Sequence, residues 1–267
     1  MRTETAPPPI PWRDLVPLSA AETAVELVAP LPWLAGALVA AERGLDPLAA
    51  VAAFFFFLAA LRLVHDLMHG NLGLPRLLDH VALTVMSAAM LSSVHAVLVS
   101  HGHHHRHTLA DDDVEARAAR MSGLGAILFG PLFTFGVHLR ALRTGSRRQV
   151  AWVTADLVAV AAVVVLALAS GMRALQFHVV AMAAANSLTA FFCVWTVHRG
   201  CRADGVVART LRGRVGNRIF FHMFLHLEHH WFPRVPTRRL ARLAERIDRA
   251  TGAAPPPGVF ARDPGGA

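Results

Sequence analysis

The amino-acid sequence predicts an all-α membrane protein with about four transmembrane helices in two hairpins, re-entrant or interfacial helices between them, and a cytosolic histidine-rich cap. Three observations predict it. Of 267 residues, 54% are hydrophobic and only 16% charged, and the mean hydropathy is +0.44; soluble domains carry about 25% charged residues. The apolar residues come in long blocks, as helices of ~20 residues crossing a ~30 Å hydrocarbon core require. Sixteen histidines cluster at the edges of those blocks, where ionisable side chains are seldom kept without a function.

The elements follow in chain order. Residues 1–22 form a Pro-containing segment with APPPIPW and no apolar run behind a basic start, so no cleaved signal peptide is expected. One membrane domain then covers 23–250. Its first span, Leu27–Ala41, is interrupted by Pro30 and Pro32, and its second, Leu48–Val64, contains the block Phe54–Phe57. The third and fourth, Val150–Ser170 and Ala174–Val197, are joined only by Gly171, Met172 and Arg173 and make a tight hairpin. Arg140, Arg143, Arg147 and Arg148 precede that hairpin, and Arg199, Arg202, Arg209, Arg212 and Arg214 follow it, so both its ends face the cytoplasm.

Two further apolar stretches, Val81–Val99 and Met121–Val137, are ambiguous by hydropathy, and the second is broken by glycines and Pro131. After Pro233, Leu240, Leu243 and Ile247 recur at helical spacing among arginines, which predicts a basic amphipathic helix. It lies on the membrane surface or packs on the cytosolic core; the spacing allows both. Residues 251–267 form a Pro/Gly tail expected to be disordered.

Composition also excludes classes. Two cysteines, Cys193 and Cys201, rule out a disulfide scaffold or a cysteine-based zinc module. Lysine is absent and the isoelectric point is near 11.4, but the arginines flank apolar spans and no aromatic stacking platform accompanies them. A membrane surface, not nucleic acid, is the expected partner.

Twelve of the sixteen histidines fall in four places: His65-x-x-x-His69, the run from His101 to His107, His198, and the group His222, His226, His229 and His230. Residues three or four apart share a helix face, so His65 and His69 point the same way. The side chains of His101, His104 and His105 can converge on one point, and His226, His229 and His230 repeat that geometry. Neutral imidazole is a common ligand for iron, copper, nickel and zinc, and four such elements supply nitrogen for two metals. His80, His95, His138 and His178 fit no box and are expected to be structural.

The boxes HxxxH, HxxHH and HxxHH, beside membrane spans, resemble those of the integral-membrane fatty acid desaturase superfamily. The wording HDLMHG, HHRHTLADDD and HLEHHWFPRVP, with TVHRG at Thr196–Gly200, is also similar to bacterial carotenoid ketolases, although the third box lacks their glycine pair. The resemblance implies a non-haem di-iron centre that uses O2 and two electrons to attack an unactivated C–H bond. It implies the ligands His65, His69, His101, His104, His105, His198, His226, His229 and His230, with His222 a further candidate; His103 and His107 lie beside the pattern. Metal-bound histidines usually donate their other N–H to a carboxylate or carbonyl, which nominates Asp66, Glu228 and the run Asp111, Asp112 and Asp113. No HPGG haem motif is present, so a separate ferredoxin- or flavoprotein-type electron donor is expected.

With boxes on one metal centre, topology is constrained. About thirty residues, Asn71 to Ser100, separate the first two boxes, too few for two crossings, and a single crossing would part them. Val81–Val99 is therefore re-entrant or interfacial, and the same parity applies to Met121–Val137. The leading expectation is an acyl-lipid desaturase; Phe54–Phe57 and the residues around Phe191, Phe192 and Trp195 are candidates to line its substrate tunnel, with lipid-facing packing the favoured reading for the phenylalanines taken alone. A carotenoid ketolase or hydroxylase with the same metal site is the alternative. A histidine-rich metal-binding or transport protein is a different class, and it calls for ligands near the membrane midplane.

Overall fold

The structure of the protein, a computed structural model, describes residues 7–252 and 258–261. Among these residues helices dominate and no strand forms; one isolated bridge pairs Thr210 with Gly258. Helix α1 (Ala20–Val28) opens on a capping box between Ser19 and Glu22, and α2 (Leu31–Glu42) continues it. Pro30 and Pro32 sit at the start of α2, where a missing N–H leaves no helical bond unmade. The span expected from Leu27 thus lengthens to Ala20–Glu42, 23 residues. Helix α3 (Asp46–Met68) returns through the middle of the bundle, its Phe56, Phe57, Ala60 and Leu63 buried.

Helices α4 (Arg76–Met90) and α5 (Val94–His104) meet at a bend of 112°. Leu91 takes a left-handed φ of 54° there, and Ser93 caps α5 by accepting from Ala96 N. The stretch Val81–Val99 is therefore sharply bent and not one straight helix. Helix α6 (Gly123–Thr144) differs from expectation in being continuous, and by length and composition it is apolar enough to cross a membrane. Two of its glycines serve packing, Gly123 against Trp195 and Gly130 against Ser187. A Cβ on Gly130 would fall 1.6 Å from Ser187 O, so only glycine lets α6 approach the next hairpin this closely.

That hairpin is α7 (Arg147–Ser170) and α8 (Arg173–Ser187), the latter running on through a π-helical segment, Ala190–Trp195, into the short α9 (Thr196–His198). Outward residues of α7 such as Val158, Val165 and Leu168 are exposed apolar surface, the pattern of a lipid-facing helix. Contacts fix the levels of the ends. Arg173 donates to both carboxylate oxygens of Asp46 at 2.7 Å, which puts the α7–α8 turn beside the α2–α3 turn, at the end of the bundle remote from His65 and His198. The N-terminal end of α6 lies at the opposite, histidine level, where Trp195 Nε1 donates to Met121 O at 2.9 Å; toward its other end the Arg140 side chain donates to Asp112 O at 3.4 Å.

A cap covers the histidine end, built from α10 (Arg214–Ile219), α11 (His226–Trp231), α12 (Leu240–Thr251) and the chain's start. Leu240, Leu243 and Ile247 of α12 are buried against Ile10, Leu15, Leu225 and Phe232. Three such side chains stabilise the cap by about 1.5–3 kcal/mol each. The apolar face of this basic helix therefore packs on the protein rather than on a membrane, and the N-terminal segment belongs to the same cap. The disorder expected from residue 251 onward does not extend to Gly258–Ala261: Val259 is buried, its carbonyl accepts from Arg199 Nη2 at 2.8 Å, and Gly258 O accepts from Arg209 Nη1 at 3.0 Å. Donors of the buried Arg199 and Arg209 hold that segment in place. The remainder of the tail, 253–257 and 262–267, lies outside the described residues.

Candidate metal centre

Helix ends deliver the histidines. The last turn and C-cap of α3 supply His65 and His69, the end of α5 and the residue after it supply His101, His104 and His105, α9 supplies His198, and α11 supplies His226, His229 and His230. They sort into two groups. His65, His69, His101 and His229 form one, and His104, His198, His226 and His230 the other. His105 joins the first, its Nε2 standing 3.1 Å from His101 Nε2 and 2.9 Å from His229 Nε2. The groups are adjacent, with the rings of His105 and His230 4.6 Å apart.

This division corrects the expectation that each HxxHH set converges on one point. His101 and His105, four apart, share a face, while His104, next to His105, is turned by about 100°. The middle histidine of the α5 set therefore faces the other group. In α11 the same geometry sends His229 to the first group and His226 and His230 to the second. Each HxxHH box is thus a bridge between two sites.

The chemistry of the donors fits two cations. Inward atoms are Nε2 throughout, and neighbours stand 3.0 Å apart for His65–His229 and His226–His198 and 3.2 Å for His69–His101 and His230–His226. Donors about 2.1 Å from a shared ion and at right angles to one another are about 3.0 Å apart. His101 donates Nδ1–H to Glu115 Oε2 at 3.2 Å, His104 to Asp113 Oδ2 at 2.7 Å, and His198 to Val207 O at 2.7 Å. A carboxylate or carbonyl only accepts, so these three rings present bare Nε2 lone pairs inward. Burial, and then the charge repulsion of neighbouring imidazoles, holds His226, His229 and His230 well below the ordinary histidine range, and His105 is pushed down for the same reasons. They are neutral at pH 7, the form that binds a metal. Burial acts against the charge on Glu115 and Asp113, yet contact with His101 and His104 outweighs it and keeps both carboxyls below their usual range.

The chain matches the fatty acid desaturase family over residues 45–258. The chain belongs to that family. No curated protein matches it. The histidine groups of this desaturase-type oxidoreductase therefore stand where a metal-dependent member of the family needs them, at the box end of its apolar helices.

The carboxylates nominated from the desaturase sequence are placed differently. Asp66 accepts from Thr237 N and Oγ1 at 3.0 Å and from Asn71 Nδ2 at 3.3 Å, tying α3 to the cap. Glu228 pairs with Arg212 and accepts from Thr210 Oγ1 at 2.6 Å. Asp111 is exposed and pairs with Arg120, and Asp112 pairs with His103. None of these four hydrogen-bonds a box histidine. The two that do are Asp113, within the nominated run, and Glu115, which sequence reasoning missed; a turn after α5 brings both back under the box, and no spacing announces it. His222 stays out of both groups, on a left-handed φ of 65° with its Nδ1 buried and unpartnered. His103 stacks on His107, 4.5 Å between centroids, away from the centre. His95, His138 and His178 bind Asp156, Thr134 O and Ala89 O, and His80 binds His95.

Beneath the groups lies a largely apolar cavity between α3, α5, α6 and α8. His65, His101, His104 and His226 form its roof, and Leu61, Val64, Val97, Phe192, Val194 and Val197 are among its walls. Of the expected aromatic lining only Phe192 is present. Phe56 and Phe57 are core, Phe54 packs on Phe192 from outside, Phe55 stacks on Trp33, and Phe191 and Trp195 stack on each other beside Gly123.

The carboxylate contacts make a testable statement. Asp113→Asn or Glu115→Gln should weaken metal retention by about 10- to 100-fold, the usual cost of removing a ligand's outer partner. Metal content after dialysis against graded chelator checks it, and retention equal to the parent would remove these residues from the site.

Proposed function

We propose that this chain is a membrane-bound, oxygen-dependent di-iron oxidoreductase that desaturates an acyl chain of a lipid, removing two hydrogens from neighbouring methylenes. The observation that carries this reading is the opening of both histidine groups onto the roof of one apolar cavity. Ligands gathered at the ends of spans, and not at mid-membrane, favour an enzyme over a metal transporter. Iron bound at the two groups would supply the reduction of O2 and the attack on an unactivated C–H bond.

The chain's own residues then have defined tasks. His65, His69, His101, His105 and His229 hold one ion, and His104, His198, His226 and His230 hold the other. Glu115, Asp113 and the Val207 carbonyl keep three rings in the ligating tautomer. The cavity walls bind the acyl chain by burial, at about 0.8 kcal/mol per methylene, exclude water from the reacting carbon, and set by chain position which methylene lies under the roof. The two electrons come from a separate ferredoxin- or flavoprotein-type donor, to which an arginine-rich surface is complementary. The arginines flanking the spans support a cytoplasmic orientation of the boxes in the cell membrane.

Expression in a host making both acyl lipids and carotenoids tests the substrate. Mass spectrometry should find a loss of two hydrogens in an acyl chain; an unchanged acyl profile with new oxygen on a carotenoid ring would replace the reading by a ketolase or hydroxylase. Topology has its own test. Single cysteines at the exposed positions Arg106 and Arg147, in a Cys193→Ser, Cys201→Ser background, should label from one side, and cysteines at Arg43 and Ser170 from the other. Opposite labelling of positions 106 and 147 would mean that α6 crosses the bilayer.

A further inference from the structure

The cavity has a floor of a different character from its walls. Farthest from the histidines, at the α4–α5 bend, it is lined by Ser92, Thr134, His138, Asn186 and Thr189. Thr134, His138 and Asn186 are held together by hydrogen bonds, and Ser92 and Thr189 lie one and three residues along the chain from Ser93 and Asn186. Thr134 Oγ1 donates to Asn186 O at 3.2 Å, His138 Nδ1 donates to Thr134 O at 2.8 Å, Ser93 N donates to His138 Nε2 at 3.0 Å, and Asn186 Nδ2 donates to Met90 O at 2.8 Å. Along α5, Val94 and His101 are about 10 Å apart at 1.5 Å per residue, and along the α8 line Asn186 and His198 are about 18 Å apart. The floor therefore lies roughly 10–18 Å from the roof.

Among the described residues, three polar groups of this half-buried floor have no protein partner: the Ser92 and Thr189 hydroxyls, and Asn186 Oδ1, whose amide nitrogen is already committed to Met90. A cavity made only for a hydrocarbon terminus would leave these groups facing methyls, an arrangement that buried polar groups avoid. A carboxylate does not suit the floor, because no arginine lines the cavity and an unpaired charge there is costlier still. A hydroxyl fits all three. Its hydrogen goes to Asn186 Oδ1, and its oxygen accepts from Ser92 Oγ or Thr189 Oγ1.

We infer that the cavity floor is a hydroxyl-binding subsite, so that the preferred substrate is an acyl chain bearing a neutral hydroxyl toward its distal end, roughly 10–18 Å from the carbon under the histidines. The inference rests on the acyl-chain reading above and names the substrate class within it. The subsite acts as a ruler. By holding the hydroxyl, Ser92, Thr189 and Asn186 set the register of the chain along the walls, and with it the position of attack.

The test compares two probes in competition. The metal-loaded protein in lipid nanodiscs is given equal amounts of methyl 16-hydroxyhexadecanoate and methyl hexadecanoate, and the protein-retained ratio, corrected for protein-free nanodiscs, is read by mass spectrometry. The hydroxylated probe should be enriched about tenfold, the worth of one to two well-made hydrogen bonds. The double variant Ser92→Ala, Thr189→Val removes only unpartnered hydroxyls, so folding is not at stake, and its ratio should fall toward one. Equal retention of both probes by the parent, or the same enrichment in parent and double variant, would overturn the subsite while leaving acyl binding intact. Failure to retain either probe would overturn the acyl-chain reading together with the inference built on it.

Discussion

His229→Ala should lower bound iron from about two per chain toward one and cut turnover more than about hundredfold, since loss of a ligand's outer partner alone costs 10- to 100-fold. The reason is geometric. His229 Nε2 stands 3.0 Å from His65 Nε2 and 2.9 Å from His105 Nε2, so one side chain joins the α3 and α5 contributions to the first group. His104→Ala should do the same to the second group, where His104 faces His198 at 4.8 Å between ring centroids. His107→Ala and His222→Ala, outside both groups, should keep full iron. Elemental analysis of purified protein decides the matter: full iron and turnover in the His229 variant would refute the assignment, and iron loss in the His222 variant would restore it as a ligand.

The second large effect is expected far from the metals. Asp156 is fully buried on α7 and accepts four hydrogen bonds at the α4–α5 bend, from Ser93 Oγ at 2.7 Å, His95 N at 3.0 Å, His95 Nδ1 at 2.9 Å and Thr84 Oγ1 at 2.9 Å. His95 in turn meets His80 at 2.9 Å, and both rings stack on Trp152. One carboxylate thus satisfies the start of α5, the helix that carries His101 and His104 at its other end. Asp156→Ala leaves these donors without a partner, and removing one member of a buried polar pair costs about 3–5 kcal/mol. For a chain of this size that corresponds to a fall of roughly 10 °C in thermal midpoint. Asp156→Asn keeps one acceptor oxygen and should lose about half as much. Heating curves of the detergent-purified variants measure this, with iron content as a second readout; unchanged curves for Asp156→Ala would show that the bend is held by other means.

Much of the architecture was legible because it is written in one dimension. Long apolar blocks require helices, the short separation of the first two boxes argues against a straight span where the structure has a bend, and the spacing of nine histidines marks side chains that the structure brings together. Pro30 and Pro32 weakened the first span in the sequence, and the structure reconciles them by starting a helix at that point. Two of the glycines that made α6 look irregular turn out to be contact points, Gly123 against Trp195 and Gly130 against Ser187. A sequence records that a glycine is present, not which backbone will come close to it.

From the sequence alone came the all-helical membrane character, the family, the box histidines and the structural standing of His95, His138 and His178. Those follow from residue type and from periodicities of a single helix. The tertiary structure decided how the HxxHH sets divide between two groups, that Asp113 and Glu115 hold the rings while Asp66 and Glu228 brace the cap, that α12 buries its apolar face in protein, and that the cavity ends on a polar floor. Each of these depends on angles between elements far apart in the chain. Spacing specifies which side chains share a helix face, but only the packing of helices specifies what that face meets.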